Sequence, residues 1–348
     1  MKSDNAAFIE NIAPTVAEEP ALKGPAFGLA GRRGWIVSDG VAGHLAITRG
    51  VAETLGLAYD VKPVAPRAPW RHLAPFGPAD PRIVGALLAE PLPDIVLGAG
   101  RQTVPIVRAL KRKGVFTALF QSPRAGLGSA DIIWAPAHDR LSGPNVIATL
   151  TPPHRFTAAK LADLRIACPA EIAALPSPRI AILVGGPGAG YDYDAAAIAG
   201  FAARLSAIAP HAGSFLITPS RRTPPPLLAA VDAATHDKPR ILWSGNGDNP
   251  YPDFLANADM FIVTADSVNM AGEACGTGRP VHVFAPPGGR EKFRRFHQAL
   301  RDHGATRPLP EAPATLTGWS YEPLQAAAEV AAEIDRRWCD FRSTTRPS

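Results

Sequence analysis

The residues of this chain best suited to chemistry are those that would hold a phosphorylated ligand. The stretch Met260 to Phe284 reads as a buried strand, a tight turn, a short helix and a second buried strand. Asp266 or Ser267 is placed to N-cap that helix, and Gly276 and Gly278 to end it. A helix N-terminus at the carboxyl edge of a parallel sheet offers free N–H groups and the positive end of a dipole, which suits a diphosphate. Thr264, Asp266, Ser267 and Met270 stand at that end, and Glu273, further along, is expected to reach the hydroxyls of an attached ribose.

Three other loops belong with this one, because ligands of open α/β sheets bind beyond the carboxyl ends of strands. They are Gly185-Gly-Pro-Gly-Ala-Gly190 (Gly185, Gly186 and Gly188), Ser220-Arg-Arg-Thr223 (Ser220, Arg221 and Arg222), and 246–251 with Asn249. Arginine makes bidentate, permanently charged contacts to phosphate. Taken alone, the glycines read equally as tight turns and the arginines as a solvated loop. Four such loops at one sheet edge favour a nucleoside diphosphate. Asp192 and Asp194 form an Asp-x-Asp pair, a metal-binding signature in some glycosyltransferases, but Asp194 is also placed to N-cap the next helix.

In the first half, the loop Asp39 to His44 carries the second kind of chemistry. Glycines at 40 and 43 allow close backbone approach. His44 is suited to be a general base on an acceptor hydroxyl, with Asp39 orienting it. The alternatives are a helix-anchoring His44 and a turn-forming Asp39. Gln121, Arg124, His138, Asp139 and Arg140 follow other strands of this half and would line the acceptor side.

The elements that must position these residues alternate. Strands are expected at 35–38, 59–62, 94–97, 116–120, 131–134 and 146–149, and again at 179–184, 214–218, 241–243, 260–263 and 281–284. Helices are expected at 46–55, 83–88, 104–111, 154–164, 195–208, 226–235 and 323–338. Two α/β halves with parallel sheets follow. The expected divisions are a loose tail over 1–25, a first domain over 26–165, a linker over 166–178, a second domain over 179–318, and a C-terminal helix crossing back with a tail over 319–348. Residues 63–81 form a proline-rich excursion of the length expected for a functional or mobile loop.

Composition narrows the function classes. A chain of 348 residues with 46% apolar residues suits two globular domains. No run approaches the ~18 consecutive apolar residues that span a bilayer. The net charge of +5 permits an anionic ligand or membrane surface, and no basic–aromatic cluster suggests nucleic acid. Cys168, Cys275 and Cys339 are too scattered for a disulfide framework or a zinc site. The Walker Gly-x-x-x-x-Gly-Lys-Ser/Thr and Gly-x-Ser-x-Gly patterns are absent, which counts against P-loop NTPases and α/β-hydrolases.

The motifs Asp39-Gly-x-Ala-Gly-His44, Gly100-Arg-Gln-Thr103, His138-Asp-Arg-Leu-x-Gly-Pro-Asn145, Ser220-Arg-Arg-Thr223, Gly247-x-Asn-Pro-Tyr251 and Val263-Thr-Ala-Asp-Ser-Val-x-Met270 together resemble the ELM1 family. That family is named for a plant mitochondrial-fission factor, and its bacterial members are described as glycosyltransferases. The resemblance runs from about 35 to 340, with two departures: Gln121-Ser-Pro-Arg124 stands where Gln-Asp-Pro-Arg is expected, and Gly186-Pro-Gly-Ala-Gly190 is more glycine-rich than usual. It implies a GT-B-like α/β fold, two Rossmann-type domains facing an interdomain cleft. It is similar in layout to the enzyme that adds N-acetylglucosamine to the lipid intermediate of peptidoglycan.

The expected activity is metal-independent transfer of a sugar from a nucleoside-diphosphate sugar, bound as donor and not as a tight cofactor, to an envelope glycan or lipid acceptor. A non-catalytic adaptor and a sugar-nucleotide epimerase are the alternatives. The expected location is the cytoplasm, with room for peripheral contact at the inner membrane, no transmembrane segment and no nucleic-acid partner.

Overall fold

The computed structural model describes residues 27–311, 316 and 318–345. The expected tail over 1–25 lies outside them. Among the described residues, contacts divide the chain into one unit of 27–157 with 325–345 and another of 158–324.

The first unit runs β1 (Arg33–Ser38), α1 (Ala42–Thr54), β2 (Ala58–Pro63), α2 (Trp70–Leu73), α3 (Pro81–Leu88), β3 (Ile95–Ala99), α4 (Val104–Lys111), β4 (Phe116–Phe120), β5 (Ile132–Pro136) and β6 (Val146–Thr149). Its strands form one sheet in the order β2-β1-β3-β4-β5-β6, every pair parallel. β3 and β4 are buried at every position, as expected of strands covered on both faces. Alternation sends Ile36, Leu97 and Phe120 to one core, and Trp35, Val37 and Leu119 to another.

The second unit runs α5 (Ala158–Ile166), α6 (Ala170–Ala173), β7 (Arg179–Val184), α7 (Ala195–Ile208), β8 (Ser214–Pro219), α8 (Pro225–Thr235), β9 (Arg240–Leu242), α9 (Tyr251–Asn257), β10 (Met260–Thr264), α10 (Val268–Cys275), β11 (Val281–Phe284), α11 (Glu291–Asp302) and β12 (Thr306–Pro308). The sheet order is β12-β11-β10-β7-β8-β9, again all parallel. The last helix, α12 (Ala326–Thr345), completes the first unit. Val330, Ala331, Ile334 and Trp338 enter its core, and Asp335 Oδ1 accepts the Leu29 N–H at 2.8 Å.

The structure differs from the sequence expectation in four places. α1 begins at Ala42, not Ala46, so His44 sits inside the first turn. The helix expected at 154–164 is α5, and it belongs to the second unit, where Arg165 Nε donates to Ala256 O at 2.8 Å. The division therefore falls at 157/158, before the expected linker. α2, α6, α9, α11 and β12 are additional elements.

Burial also sets a pH response. His282 on β11 is 5% exposed, edge-on to Trp319 at 5.1 Å, and desolvation holds its pKa down at about 4. In the unfolded chain an imidazole titrates near 6.5, so between those values the unfolded state binds more protons. Stability is therefore lost as pH falls from about 6.5 to about 4, on the order of 3 kcal/mol from this group. Buried His297 is shifted the same way. Urea melts at pH 7 and pH 4.5 are expected to show a smaller acid loss for His282→Phe than for the parent. Equal losses would assign the effect to other groups.

Candidate functional site

The order of the second sheet reverses between β7 and β10, which lie side by side in register from Ile180↔Met260 to Leu183↔Val263. This is the switch point of a six-stranded doubly wound sheet, where the loops leaving two neighbouring strands open a crevice. Here those loops are Gly185–Gly190 and Ala265–Ser267. Asp266 joins them. Its side chain is fully buried; Oδ2 accepts the Gly186 N–H at 2.9 Å and Arg222 Nη2 at 2.8 Å, and Oδ1 accepts the Tyr193 hydroxyl at 2.8 Å. Burial and the neighbouring Asp266 charge raise the Tyr193 pKa, which keeps that hydroxyl a donor.

The glycines serve this junction. A Cβ on Gly186 would stand 2.0 Å from Arg222 O, one on Gly185 2.2 Å from Asp266 Oδ2, and one on Gly188 2.1 Å from Arg222 Nη1. Their amides are committed too: Gly185 N–H donates to Thr264 Oγ1 at 2.7 Å, and Gly188 N–H to Tyr191 O at 3.1 Å. With the Gly186 N–H on Asp266, all three amides are bonded within the protein, which closes this loop on itself. Arg222 is turned inward as well, donating to Pro187 O at 2.9 Å besides Asp266. Asp194 N-caps α7 through the Ala197 N–H at 2.8 Å, which assigns that half of the Asp-x-Asp pair a structural role.

Groups able to meet an anion remain at the same edge. Ser267, not Asp266, caps α10, its Oγ accepting the Met270 N–H at 3.4 Å. The Val268 and Asn269 N–H groups at the first turn have no intrahelical acceptor. Arg221 is exposed, with no ion-pair partner among the described residues. Ser220 holds its loop, taking the Arg222 N–H on Oγ at 3.2 Å while its own N–H meets Thr223 Oγ1 at 2.9 Å. Further along α10, Glu273 Oε2 accepts the Tyr251 hydroxyl, and Asn249 Oδ1 accepts the Tyr251 N–H at 3.0 Å. The expected residues thus fall into three groups: Asp266, Arg222 and the glycines build the junction, Ser267 caps α10 while Arg221 stands exposed, and Glu273 and Asn249 are tied through Tyr251. Tyr193 and Tyr251 are not among the expected ligand-holding residues, although Tyr251 ends the Gly247–Tyr251 motif. The first was visible only as the middle of an Asp-x-Asp triplet.

The first unit repeats this logic. In its order the sheet switches between β1 and β3. The loop after β1 carries Asp39 and His44, and the loop after β3 begins at Gly100. His44 Nδ1 lies 3.0 and 3.1 Å from the two Asp39 carboxylate oxygens. Both side chains are largely buried, at 19% and 11% exposure. The carboxylate accepts only if Nδ1 carries the proton, which leaves the Nε2 lone pair as the basic position. Gly100 has φ +91°, and a Cβ there would stand 2.2 Å from Asp39 Oδ2 and 2.6 Å from His44 Nδ1. Arg101 and Gln102 donate to Arg71 O at 3.1 and 3.3 Å, pinning the proline-rich excursion to this turn.

Among known proteins, the family described as Mitochondrial fission ELM1 matches residues 42–338. The mitochondrial fission protein ELM1 of Arabidopsis thaliana is 31% identical over 271 residues, 70% of this chain and 64% of the plant protein. The chain thus spans less than two thirds of that relative's length. Among solved structures, the UDP-GlcNAc 2-epimerase of Neisseria meningitidis bound to UDP-GlcNAc is similar with a TM-score of 0.50 at 13% identity, covering 88% of this chain and 99% of that one. The corresponding epimerase of Methanocaldococcus jannaschii is similar with a TM-score of 0.51 at 10% identity, covering 87% and 99%. At such identities the likeness concerns the fold, which is GT-B-like: two Rossmann-type units with parallel six-stranded sheets. Among the described residues no helix is long and apolar enough to cross a membrane.

Proposed function

Because this chain belongs to the mitochondrial fission ELM1 family, we propose that it is a glycosyltransferase, independent of a bound metal, moving a sugar from a nucleoside-diphosphate sugar to a glycan or lipid acceptor. One observation carries the reading: at the switch point of the second sheet, the loop that carries Arg221 is fastened through Arg222 to Asp266, next to the N-terminus of α10. The diphosphate is held by the first-turn amides of α10 and by Arg221, and Glu273 and Asn249 face the nucleoside. These groups stabilise negative charge that grows as the diphosphate leaves.

In this reading His44 Nε2 takes the proton of the acceptor hydroxyl while Asp39 fixes the tautomer. The acceptor oxygen forms the new bond to the anomeric carbon. The bond from that carbon to the diphosphate oxygen breaks, and its electron pair leaves with the nucleotide. Such a base contributes about 10²–10⁴-fold.

A thermal-shift screen against UDP, GDP, CMP, ADP and their sugars tests the donor half. A ligand present at 100 times its Kd is expected to add about 2.7 kcal/mol. No stabilisation by any nucleotide would overturn the reading.

The inward commitment of the Gly185, Gly186 and Gly188 amides favours a second reading, a non-catalytic adaptor on the same fold. Ser267→Ala combined with Glu273→Ala separates the two. An adaptor keeps its cellular role in that variant, and a transferase loses it.

A further inference from the structure

Among the described residues the large apolar side chains left in water are Val41, Leu73, Phe76, Leu92 and Ile166. Leu73 and Phe76, at 46% and 68% exposure, stand where α2 ends in the proline-rich excursion of the first unit. The Phe76 and Gly77 N–H groups both donate to Leu73 O, at 3.0 and 2.8 Å, so the two side chains leave one tight turn. Apolar residues exposed singly are ordinary, and a pair on one turn calls for a reason.

The turn is fastened from outside the excursion. Arg101 donates to Ala74 O and, at 3.1 Å, to Arg71 O. Arg108, on α4, donates to Phe76 O at 3.1 Å and to Gly77 O. Ala74, between the two exposed residues, is 4% exposed and seats the turn on the unit. Phe76 is thus held outward by a bonded backbone. A carbonyl accepts without neutralising a cation, so both guanidinium charges persist beside the turn.

The charge of the excursion has one sign in water. Its charged residues between Pro63 and Arg82 are Arg67, Arg71, Arg82 and Asp80, with His72 beside them. Asp80 is 2% exposed, and its carboxylate accepts the Arg67 and Arg82 N–H groups at 3.2 and 3.0 Å. The three arginines are exposed, and α4 contributes no acidic residue. The surface that the excursion shows to solvent is therefore apolar and cationic, with no exposed carboxylate of its own.

That chemistry fits a lipid surface better than a protein. Stable protein interfaces bury about 1,200–2,000 Å² in total, far more than two side chains on one turn supply. A bilayer needs no matching relief. Its headgroup–acyl boundary takes up apolar side chains, and its anionic lipids attract arginines that come within about a Debye length.

We propose that the turn carrying Leu73 and Phe76 is a docking surface for a bilayer that contains anionic lipid. Phe76 and Leu73 enter the headgroup–acyl boundary, and Arg67 and Arg71 meet the lipid phosphates. The contact is independent of the nucleotide reading, since it uses none of the residues assigned to the donor.

Sedimentation of the full chain with vesicles of phosphatidylcholine and phosphatidylglycerol in equal parts tests it, beside vesicles of phosphatidylcholine alone. Saturable binding is expected on the anionic vesicles, weakened by added salt, with affinity about tenfold lower on the neutral ones. Phe76→Ser is expected to weaken binding about tenfold, the loss that follows from one aromatic side chain no longer buried. Arg71→Gln is expected to weaken it about fivefold, on the anionic vesicles only. Phe76→Trp, which keeps an aromatic ring at the boundary, should bind as the parent does. So should Ile166→Ser, which removes the most exposed apolar side chain of the described residues, at 87%. Any nucleotide-induced thermal shift should be the same in the parent and in Phe76→Ser, so failure of this proposal and failure of the nucleotide reading are distinguishable.

No binding of the parent chain to anionic vesicles would overturn the proposal. So would binding unchanged in both Phe76→Ser and Leu73→Ser, or lost in Ile166→Ser. Equal binding to the two kinds of vesicle would overturn the role of the arginines. Self-association on gel filtration that Phe76→Ser abolishes, without vesicle binding, would overturn it in favour of a second copy of the chain.

Discussion

Gly100→Ala is expected to reduce turnover by about 10²–10⁴-fold, the range lost when a general base is misplaced, while nucleotide binding stays intact. The added Cβ would stand 2.2 Å from Asp39 Oδ2 and 2.6 Å from His44 Nδ1, and these atoms belong to the pair that fixes the imidazole tautomer. The backbone offers no relief, since φ +91° already disfavours a side chain. His44→Ala should produce a loss of similar size, and the double variant little more, because the residues act as one unit. Steady-state kinetics with the donor found by thermal shift, beside circular dichroism to confirm folding, measure this. Full turnover by His44→Ala would reduce the histidine to a helix anchor and sink the assignment of a base.

Asp266→Ala should be the most destabilising of the polar changes at the β7–β10 junction. It removes the acceptor of the Gly186 amide, the Tyr193 hydroxyl and Arg222 together. Breaking a buried pair by deleting one member costs about 3–5 kcal/mol, but the Arg222 side chain is 47% exposed and can turn to water, so about 2–4 kcal/mol is expected. Asp266→Asn keeps acceptor capacity without the charge and should fall between. Tyr193→Phe loses one hydrogen bond, about 1 kcal/mol. Chemical denaturation of the three variants gives the ranking, and a fall for Asp266→Ala no larger than for Tyr193→Phe would refute the ring as a structural unit. Nucleotide affinity should fall in the same order, since the loop that carries the site loses its fastening.

Comparing residue with residue shows what the sequence makes legible. β7, β4, β11 and α7 have the bounds their apolar runs suggest, because a buried strand or a capped helix is encoded locally. α11, Glu-Lys-Phe-Arg-Arg-Phe-His-Gln-Ala-Leu-Arg-Asp, is half charged and buries only Phe296, His297 and Leu300, so its apolar signal is thin. α9 opens on Tyr251-Pro252 and is seven residues long, too short for a period to register. α1 starts earlier than its first apolar residues because Ala42 and Gly43 give no cue. The segments that follow the strands were legible from the sequence, but the contacts made within them were not. Gly186 looks like a phosphate-approaching glycine, yet its partner Asp266 lies 80 positions away, a distance that only the pairing of β7 with β10 closes.

The placement of α12 has a consequence for how the chain is made. The first unit leaves off at residue 157 and resumes at 325, so its final helix emerges only after the whole of 158–324 has been synthesised. At ribosomal rates of about 5–20 residues per second, that interval lasts roughly 8–30 s. Throughout it the nascent first sheet lacks Val330, Ala331, Ile334 and Trp338, and the part of its face beside α1, at β4 and β6, is left uncovered. The interrupted unit is thus the one exposed to chaperones and to misassembly during translation, and the uninterrupted one, with the anion-facing end of α10, is complete before it.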